Sequence, residues 1–365
     1  MEEKSTKIKY RREKNKHSSR IDALTEAQKI AFAPFTFQIV SAMIDFGILE
    51  FLNRQSASKK EIIENCNLSR YTVDTLFDAS TCIGIIKENS DGTFSNTKLA
   101  EAFLFDEMTR VNFNFTKDVC FLGANELQAS FKESRPAGLQ KYFFDSETIY
   151  PMLSQLPPRM KKSWYEFDHH YSDDCFEEIL PIMFSSAFSY ENAKKNVFDI
   201  GGNTGKFEKA CLSFDPECTV TMFDLEPNIE TAKKNFDTDR CKFFAIDVLS
   251  QKPFPKISGA VLMSQFLDCF SREQILLILN KVADAIDEKT KVFILEPFID
   301  NQQFEGAKYA LSHISAYFTC MANGKSKMYN ESDMTEMIEQ SNLKVEKAYQ
   351  GIGKYDYTLL ECSKK

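Results

Sequence analysis

From residue 196 onward, short apolar runs that favour β-strands alternate with segments of helical periodicity. The runs are NVFDI (196–200), TVTMFDL (219–225), CKFFAID (241–247), ISGAVLMS (257–264), KVFILEP (291–297) and YDYTLLEC (355–362). Near-continuous apolar strands separated by amphipathic helices are typical of a mostly parallel sheet with helices on both faces. The pattern predicts a doubly wound α/β domain, in which ligands bind outside the carboxyl ends of the strands.

The first run leads directly into a glycine-rich turn and then a helix. The spacing D-x-G-G-x-x-G is formed by Asp199, Gly201, Gly202 and Gly205. Glycines there allow a ligand to approach the backbone, and the helix N-terminus supplies unpaired N–H donors. An acid two residues before the first glycine would repel a diphosphate and suits a ligand that carries an amino group or a sulfonium. The alternative is that the glycines only permit tight packing of strand against helix.

Acidic residues also end the next two strands. Asp224, followed by Leu225, lies 23 residues after Gly201. An acid at the end of the second strand is placed to accept hydrogen bonds from a ribose diol. The third strand ends in Asp247, followed by Val248. These positions extend the predicted ligand site along the sheet edge.

The N-terminal part predicts a smaller, mostly helical domain. Ser58 and Glu61 form a capping box, Ser69 can cap the following helix, and Asp91-Gly92 is a hairpin signal. Helices followed by a two-stranded hairpin are the winged-helix pattern. We therefore expect four regions, namely a basic disordered arm (1–20), a winged-helix domain (21–110), a helical region interrupted at Pro157-Pro158 (111–190) and the α/β domain (191–365).

Composition narrows the class of protein. The net charge of −8 disfavours nucleic acid as the main partner, because phosphate binding needs clustered positive charge. The ten cysteines show no C-x-x-C spacing and no pairing with histidine, so we expect reduced thiols in the cytoplasm and no bound metal. No apolar run approaches the roughly 20 residues of a membrane span.

The order of these segments resembles the small-molecule O-methyltransferases of the caffeate, isoflavone and acetylserotonin type, including bacterial relatives. The matching stretches are VFDIGGNTGKF, FDLEP, FFAIDVL, VLMSQFLDCFS, ILEP and MANGKSKMYNESDM. The resemblance implies a Rossmann-like class I methyltransferase domain that binds S-adenosyl-L-methionine (SAM) and releases S-adenosylhomocysteine. It further implies that Gly201 and Asp224 contact the methionine and ribose regions, that Asp247 and Val248 flank the adenine, and that the winged-helix domain forms a homodimer.

The resemblance also locates the chemistry, with substitutions. Asp268 stands where plant members carry a histidine base, and Ser264 replaces a cofactor-binding lysine. Glu296 matches a glutamate that orients the base, whereas Ser326 replaces a second one. An ordinary aspartate is a poor base for a phenol with a pKa near 10, but burial would raise its pKa. We hypothesise that Asp268 is a weak base or positions the acceptor; the alternatives are a structural residue, or catalysis by orientation alone.

Two histidines are weaker candidates for acceptor contact. His170 precedes the glycine motif in a helical segment that in the family runs close to the cofactor, and His313 lies on a helix that in the family lines the acceptor pocket. The expected function is methyl transfer to a hydroxyl of a small aromatic acceptor, such as a phenol or a quinone precursor. The alternatives are N- or C-methylation, a non-methylating SAM reaction, or a SAM-sensing winged-helix regulator, whose candidate DNA-reading helix SRYTVDTLFDASTC would be poor in positive charge.

Overall fold

The structure, a computed structural model, describes residues 19–236 and 238–365. The chain forms two compact units, the first ending at Arg110 and the second running from Val111 to Lys365. Residues 111–190 thus belong to the same unit as the sheet, and the division into four regions stays a prediction. Of the expected basic arm, only Ser19 and Arg20 are described, and they form the N-terminus of the first helix. The remainder of that arm lies outside the described residues.

Seven helices and a short hairpin lie within the described residues 19–115. They are α1 (Arg20–Ala31), α2 (Ala33–Asp45), α3 (Ile48–Arg54), α4 (Lys59–Asn65), α5 (Arg70–Ile83), β1 (Ile86–Glu88), β2 (Phe94–Asn96), α6 (Lys98–Phe105) and α7 (Glu107–Phe115). The predicted capping box is confirmed at α4, where Ser58 N donates to the Glu61 carboxylate at 2.7 Å and Glu61 N donates to Ser58 Oγ. Ser69 caps α5, and Gly92 turns the antiparallel hairpin at φ +78°. That this arrangement is a winged helix stays a prediction.

Among the helices of the described residues, no single one is long and apolar enough to cross a membrane. By length and composition α2 and α3 together could do so, but they are bent by 59° where they meet.

Helices interrupted by tighter turns precede the sheet. They are α8 (Leu127–Glu133), α9 (Ala137–Tyr142), α10 (Pro158–Ser172) and α11 (Phe176–Ala187). Pro157 caps α10, which confirms the predicted break at the proline pair. Short 3-10 and π turns join the elements of this unit at Thr116–Cys120, Gly123–Glu126, Tyr150–Gln155, Asp173–Cys175, Leu267–Cys269, Ile299–Asn301 and Phe318–Ala322.

The sheet contains seven strands in the order β5-β4-β3-β6-β7-β9-β8. They are β3 (Asn196–Ile200), β4 (Thr219–Asp224), β5 (Cys241–Ala245), β6 (Ala260–Ser264), β7 (Lys291–Glu296), β8 (Leu343–Ile352) and β9 (Tyr357–Lys364). The intervening helices are α12 (Lys206–Phe214), α13 (Glu226–Lys233), α14 (Arg272–Ala285), α15 (Glu305–Tyr317) and α16 (Glu331–Gln340). Strands β3 to β7 pair in parallel, and β9 and β8 complete the sheet antiparallel.

The direction of strand addition reverses at β3. The chain first adds β4 and β5 on one side of β3 and then returns to add β6 on the other. Such a reversal opens a crevice at the carboxyl ends of the two central strands, where α/β sheets bind ligands. The glycine turn follows β3 and the Gln265–Cys269 segment follows β6, so the topology places both predicted motifs at this crevice.

Candidate active site

The three glycines of the turn are needed by contacts within the chain. Gly201 and Gly205 have φ values of +92° and +86°, which disfavour any residue with a side chain. A Cβ at Gly201 would lie 2.3 Å from the Phe266 ring, and one at Gly202 would lie 2.4 Å from Glu208 Oε1. Tight packing therefore accounts for these glycines, and the case for a ligand depends on the polar groups around them.

Asp224 presents a firmly held carboxylate at the end of β4. Its Oδ2 accepts from the backbone N of Asn203 at 2.9 Å, and its Oδ1 accepts from Leu225 N at 2.6 Å and from Asn228 Nδ2 at 2.8 Å. Burial raises the pKa of Asp224 above its ordinary value. The side chain is thus fixed by the glycine turn and by the start of α13, at the position predicted for a ribose ligand.

A groove of about 400 Å³ continues from Asp224 along the sheet edge. Its lining includes Leu225, Ile246, Asp247 and, from the turn before α10, Tyr150. Asp247 is exposed and its Oδ1 accepts from Leu249 N at 2.9 Å. Val248, predicted beside Asp247, is buried in the hydrophobic core, and its contact with an adenine stays a prediction. The flat, mostly apolar groove suits a planar base.

Asp199 lies beneath the turn against a second carboxyl that the sequence did not indicate. A Cβ at Gly202 would meet both Glu208 Oε1 and Asp199 Oδ2, so the two carboxyls lie side by side. Burial raises the pKa of Asp199 to about 7 and that of Glu208 well above its usual value. Two adjacent buried carboxyls retain a proton between them. A contact between Asp199 and a cationic ligand therefore stays a prediction, with Glu208 as the partner that the structure gives it.

The turn after β6 holds Asp268 in a buried position at the crevice. Glu296, at the end of β7, accepts from Phe266 N at 3.1 Å and from Leu267 N at 2.8 Å through its Oε1 and so fixes the turn. Asp268 is 4% exposed, and its Oδ1 has no hydrogen-bond partner among the described residues. Burial raises its pKa to about 7. The buried Oγ of Ser264 likewise has no partner in the described part of the chain.

Sequence reasoning missed Asp168 on α10. Its Oδ2 accepts from Asn203 Nδ2 at 2.5 Å, which ties α10 to the glycine turn. Burial and then the nearby Asp268 carboxylate raise the pKa of Asp168 to about 7. The sequence carries a weak signal for it, since Asp168 lies two residues before the predicted candidate His170, but its partners lie far away in the chain.

The two histidine candidates differ in position. On α10, His169 is the one beside the glycine turn, with Nε2 3.4 Å from Thr204 Oγ1, while the ring of His170 lies 4.9 Å from that of Tyr355. His313 is exposed and stacks on Tyr309 at 3.9 Å.

The exposure of His313 follows from the periodicity of α15. The buried face of this helix is formed by Leu311, Ile314 and Tyr317, and a residue at position 313 is turned away from that face. The position therefore gives no support to an acceptor contact within this unit, and the roles of His170 and His313 stay predictions.

Comparison with known proteins identifies two domains along the chain. Residues 25–94 match the Dimerisation2-like domain, and residues 177–341 match the O-methyltransferase domain. Residues 177–341 therefore belong to the SAM-dependent O-methyltransferase family. Among relatives of this family, the Des-methyl DIF-1 methyltransferase A of Dictyostelium discoideum is 22% identical over 330 residues, covering 84% of each chain.

Solved structures share the O-methyltransferase fold over nearly the whole chain. The mitomycin 7-O-methyltransferase MmcR superposes with a TM-score of 0.69 at 16% identity, covering 95% of this chain and 99% of that one. A structure described as a pericyclic reaction enzyme superposes with a TM-score of 0.68 at 15% identity, covering 96% and 90%. The predicted family and the α/β methyltransferase fold are confirmed, and SAM is the cofactor that goes with them.

The residues at the crevice fit SAM by their own chemistry. The groove beside Leu225 and Asp247 can take a flat base, and Asp224 offers fixed acceptors for a diol. Ser264 Oγ and Asp268 Oδ1 are buried polar atoms without a partner among the described residues. They belong to the end of the site where the proton acceptor is predicted. Buried polar groups are normally hydrogen-bonded, so such atoms indicate where a bound molecule belongs.

Proposed function

We propose that this protein transfers the methyl group of SAM to a hydroxyl of a small aromatic acceptor, with Asp268 receiving the proton. The observation that carries the proposal is the buried Asp268 carboxyl, which has one oxygen without a partner among the described residues. It lies directly after β6, on the side of the switch point opposite the glycine turn. A proton acceptor there is close to both ligand regions.

The cofactor would be held by residues at the ends of four strands, β3, β4, β5 and β6. Asp224 would accept from the ribose, Leu225 and Asp247 would border the base, and Gly201 and Ser264 would approach the methionine region. When bound, SAM supplies an electrophilic methyl group on its sulfonium. The protein's part is then to orient the acceptor in line with that methyl and to exclude water, and orientation of this kind removes several kcal/mol of barrier.

Asp268 supplies the proton chemistry in this proposal. A carboxyl with a pKa of about 7 is half ionised at neutral pH and is a stronger base than an ordinary aspartate. Oδ1 would receive the acceptor's hydroxyl proton as the oxygen attacks the methyl. Glu296 acts as a positioning residue, because its hydrogen bonds to Phe266 N and Leu267 N hold the backbone that carries Asp268.

Aromatic side chains near Asp268 support a flat acceptor. Burial raises the pKa of Tyr150 and of Tyr317 above the usual value, and Cys269 adds to both shifts, so these groups lie close together. Tyr317 OH accepts from Trp164 Nε1 at 2.8 Å, which fixes both rings. Rigid aromatic walls with few polar groups favour planar, weakly polar ligands.

The direct test is the mass of the product. We expect incubation with SAM and a panel of simple phenols and hydroxyquinones to add one methyl group to at least one of them, with release of S-adenosylhomocysteine. Each phenol is paired with its methyl ether, which offers no hydroxyl and should give no product. Methylation at nitrogen or carbon would contradict transfer to oxygen.

A second candidate is a SAM-dependent reaction without methyl transfer. It is favoured by the absence of the family's histidine at Asp268 and by the similar fold of the pericyclic reaction enzyme. The same assay separates the two candidates. A rearranged product of unchanged mass, formed only in the presence of SAM, would support the second candidate and contradict methyl transfer.

We also propose that the chain forms a homodimer through its first unit. Every residue of α1 is at least partly exposed, including Ile21, Leu24 and Ile30, and Phe32 and Phe35 beside it are 57% and 68% exposed. An apolar surface of this kind is typical of an interaction site, and residues 25–94 match a dimerisation-type domain.

If the chain forms a homodimer, light scattering should give a molar mass equal to that of two chains. We expect Ile30→Asp combined with Phe35→Asp to give a monomer, because two buried charges in an apolar interface are strongly unfavourable. Leu277→Asp, at an exposed apolar position on α14, is the matched control and should leave the dimer intact. A wild-type monomer at micromolar concentration would refute this proposal.

A further inference from the structure

Asn203 in the glycine turn is held by carboxylates from two different elements. Its backbone N donates to Asp224 Oδ2 at 2.9 Å, and its side-chain Nδ2 donates to Asp168 Oδ2 at 2.5 Å. Asn203 has φ +51°, a conformation that asparagine tolerates better than most residues. The turn is therefore bordered by Asp224 from the sheet and by Asp168 from α10.

Asp168 contacts the glycine turn and is near Asp268. It contacts the turn through Asn203, and Asp268 is the charged group that affects its ionisation most, followed by Asp173. A carboxylate has about four acceptor sites, of which Asn203 takes one. Asp168 can therefore accept further hydrogen bonds from a molecule bound at the crevice.

The charges around this point favour a cation. Burial disfavours the ionised forms of the Asp168, Asp224 and Asp268 carboxyls, and for Asp168 the neighbouring Asp268 and Asp224 carboxylates add to the effect of burial. A positive group placed among them would relieve that repulsion and would itself be stabilised in a low-dielectric site.

The layout of the site indicates which cation this is. The groove at Leu225 and Asp247 suits the adenine, and Asp224 suits the ribose. The sulfur and the amino-acid tail of the cofactor would then lie beyond the ribose, toward Asp268. Asp168, which contacts the glycine turn and is near Asp268, would border that stretch, and the tail carries a primary ammonium group. Accepting from this ammonium requires only the hydrogen-bonding capacity that Asn203 leaves.

We propose that Asp168 binds the ammonium group of the cofactor's amino-acid tail and so distinguishes ligands that carry the tail from ligands that lack it. The proposal rests on the proposed cofactor site. It assigns α10 a direct role in cofactor selection, separate from its hydrogen bond to the glycine turn.

The test compares two ligands by isothermal titration calorimetry. S-adenosylhomocysteine carries the amino-acid tail, whereas 5′-methylthioadenosine has the same adenosine and sulfur without it. We expect Asp168→Asn, which keeps an oxygen acceptor for Asn203, to weaken S-adenosylhomocysteine binding about 10- to 100-fold and 5′-methylthioadenosine binding less than about twofold. Asp168→Glu keeps the charge and should recover part of the lost affinity. Normal 5′-methylthioadenosine binding also shows that each variant is folded.

Asn203→Ala is the control for an effect on the turn alone. It removes the hydrogen bond to Asp168 but leaves the carboxylate, so it should weaken both ligands by similar factors. If Asp168→Asn also weakens both equally, or neither, the ammonium assignment is wrong while the cofactor site stands. If the wild type binds neither ligand, the cofactor site itself is wrong and this proposal is overturned with it.

Discussion

Asp224→Ala is expected to weaken binding of SAM and S-adenosylhomocysteine by about 100-fold or more. Two effects combine in this substitution. The ribose would lose a charged acceptor, and a hydrogen bond to a charged group is among the stronger contacts in proteins. Asn203 N and Asn228 Nδ2 would also lose their acceptor, which would loosen the glycine turn and the start of α13. Calorimetric titration with each ligand measures the loss directly.

Asp247→Asn is the matched control for this experiment. Asp247 lies two residues after β5 and borders the same groove, but it is exposed, so solvent screens its charge. We expect a change of less than about fivefold there. Equal affinities for wild type and Asp224→Ala would mean that the ribose binds elsewhere, whether or not the groove holds the adenine.

Asp268→Asn is expected to lower turnover by about 100- to 1,000-fold while leaving SAM affinity within about threefold, because general-base catalysis contributes factors of this size. The sign of the pH dependence of the rate follows from the proposed role of Asp268 as the base. The wild-type rate should rise with pH through about 7, as Asp268 loses its proton, and then level off. The variant cannot ionise at this position, so its profile should lose that step. Steady-state rates from pH 5.5 to 9 test both expectations.

Ser264→Ala provides the contrasting variant. Its buried Oγ lies at the end of β6, four residues before Asp268, and we expect its loss to raise the KM for SAM without moving the pH step. Turnover unchanged by Asp268→Asn would instead support catalysis by orientation alone, with the acceptor's own acidity providing the ionised hydroxyl.

Local patterns were sufficient to predict most of the elements. Five of the six apolar runs overlap the five parallel strands, the sixth overlaps β9, and the capping box at Ser58 is present as predicted. The exception is β8, which forms the sheet edge and carries the charged sequence LKVEKAYQGI. An edge strand is exposed along much of its length, so its pairing with β9 leaves little apolar signal in the sequence.

The sequence by itself determined the α/β class, the family and the order of the ligand-contacting strand ends, because these depend on periodicity, on turn residues and on spacing along the chain. Only the tertiary structure decided which groups meet. Glu208 lies against Asp199, Asp168 binds Asn203 from 35 residues away, and burial brings the pKa of Asp268 to about 7. Such contacts and shifts arise from packing and desolvation between distant segments, and neither quantity is encoded in any local stretch of residues.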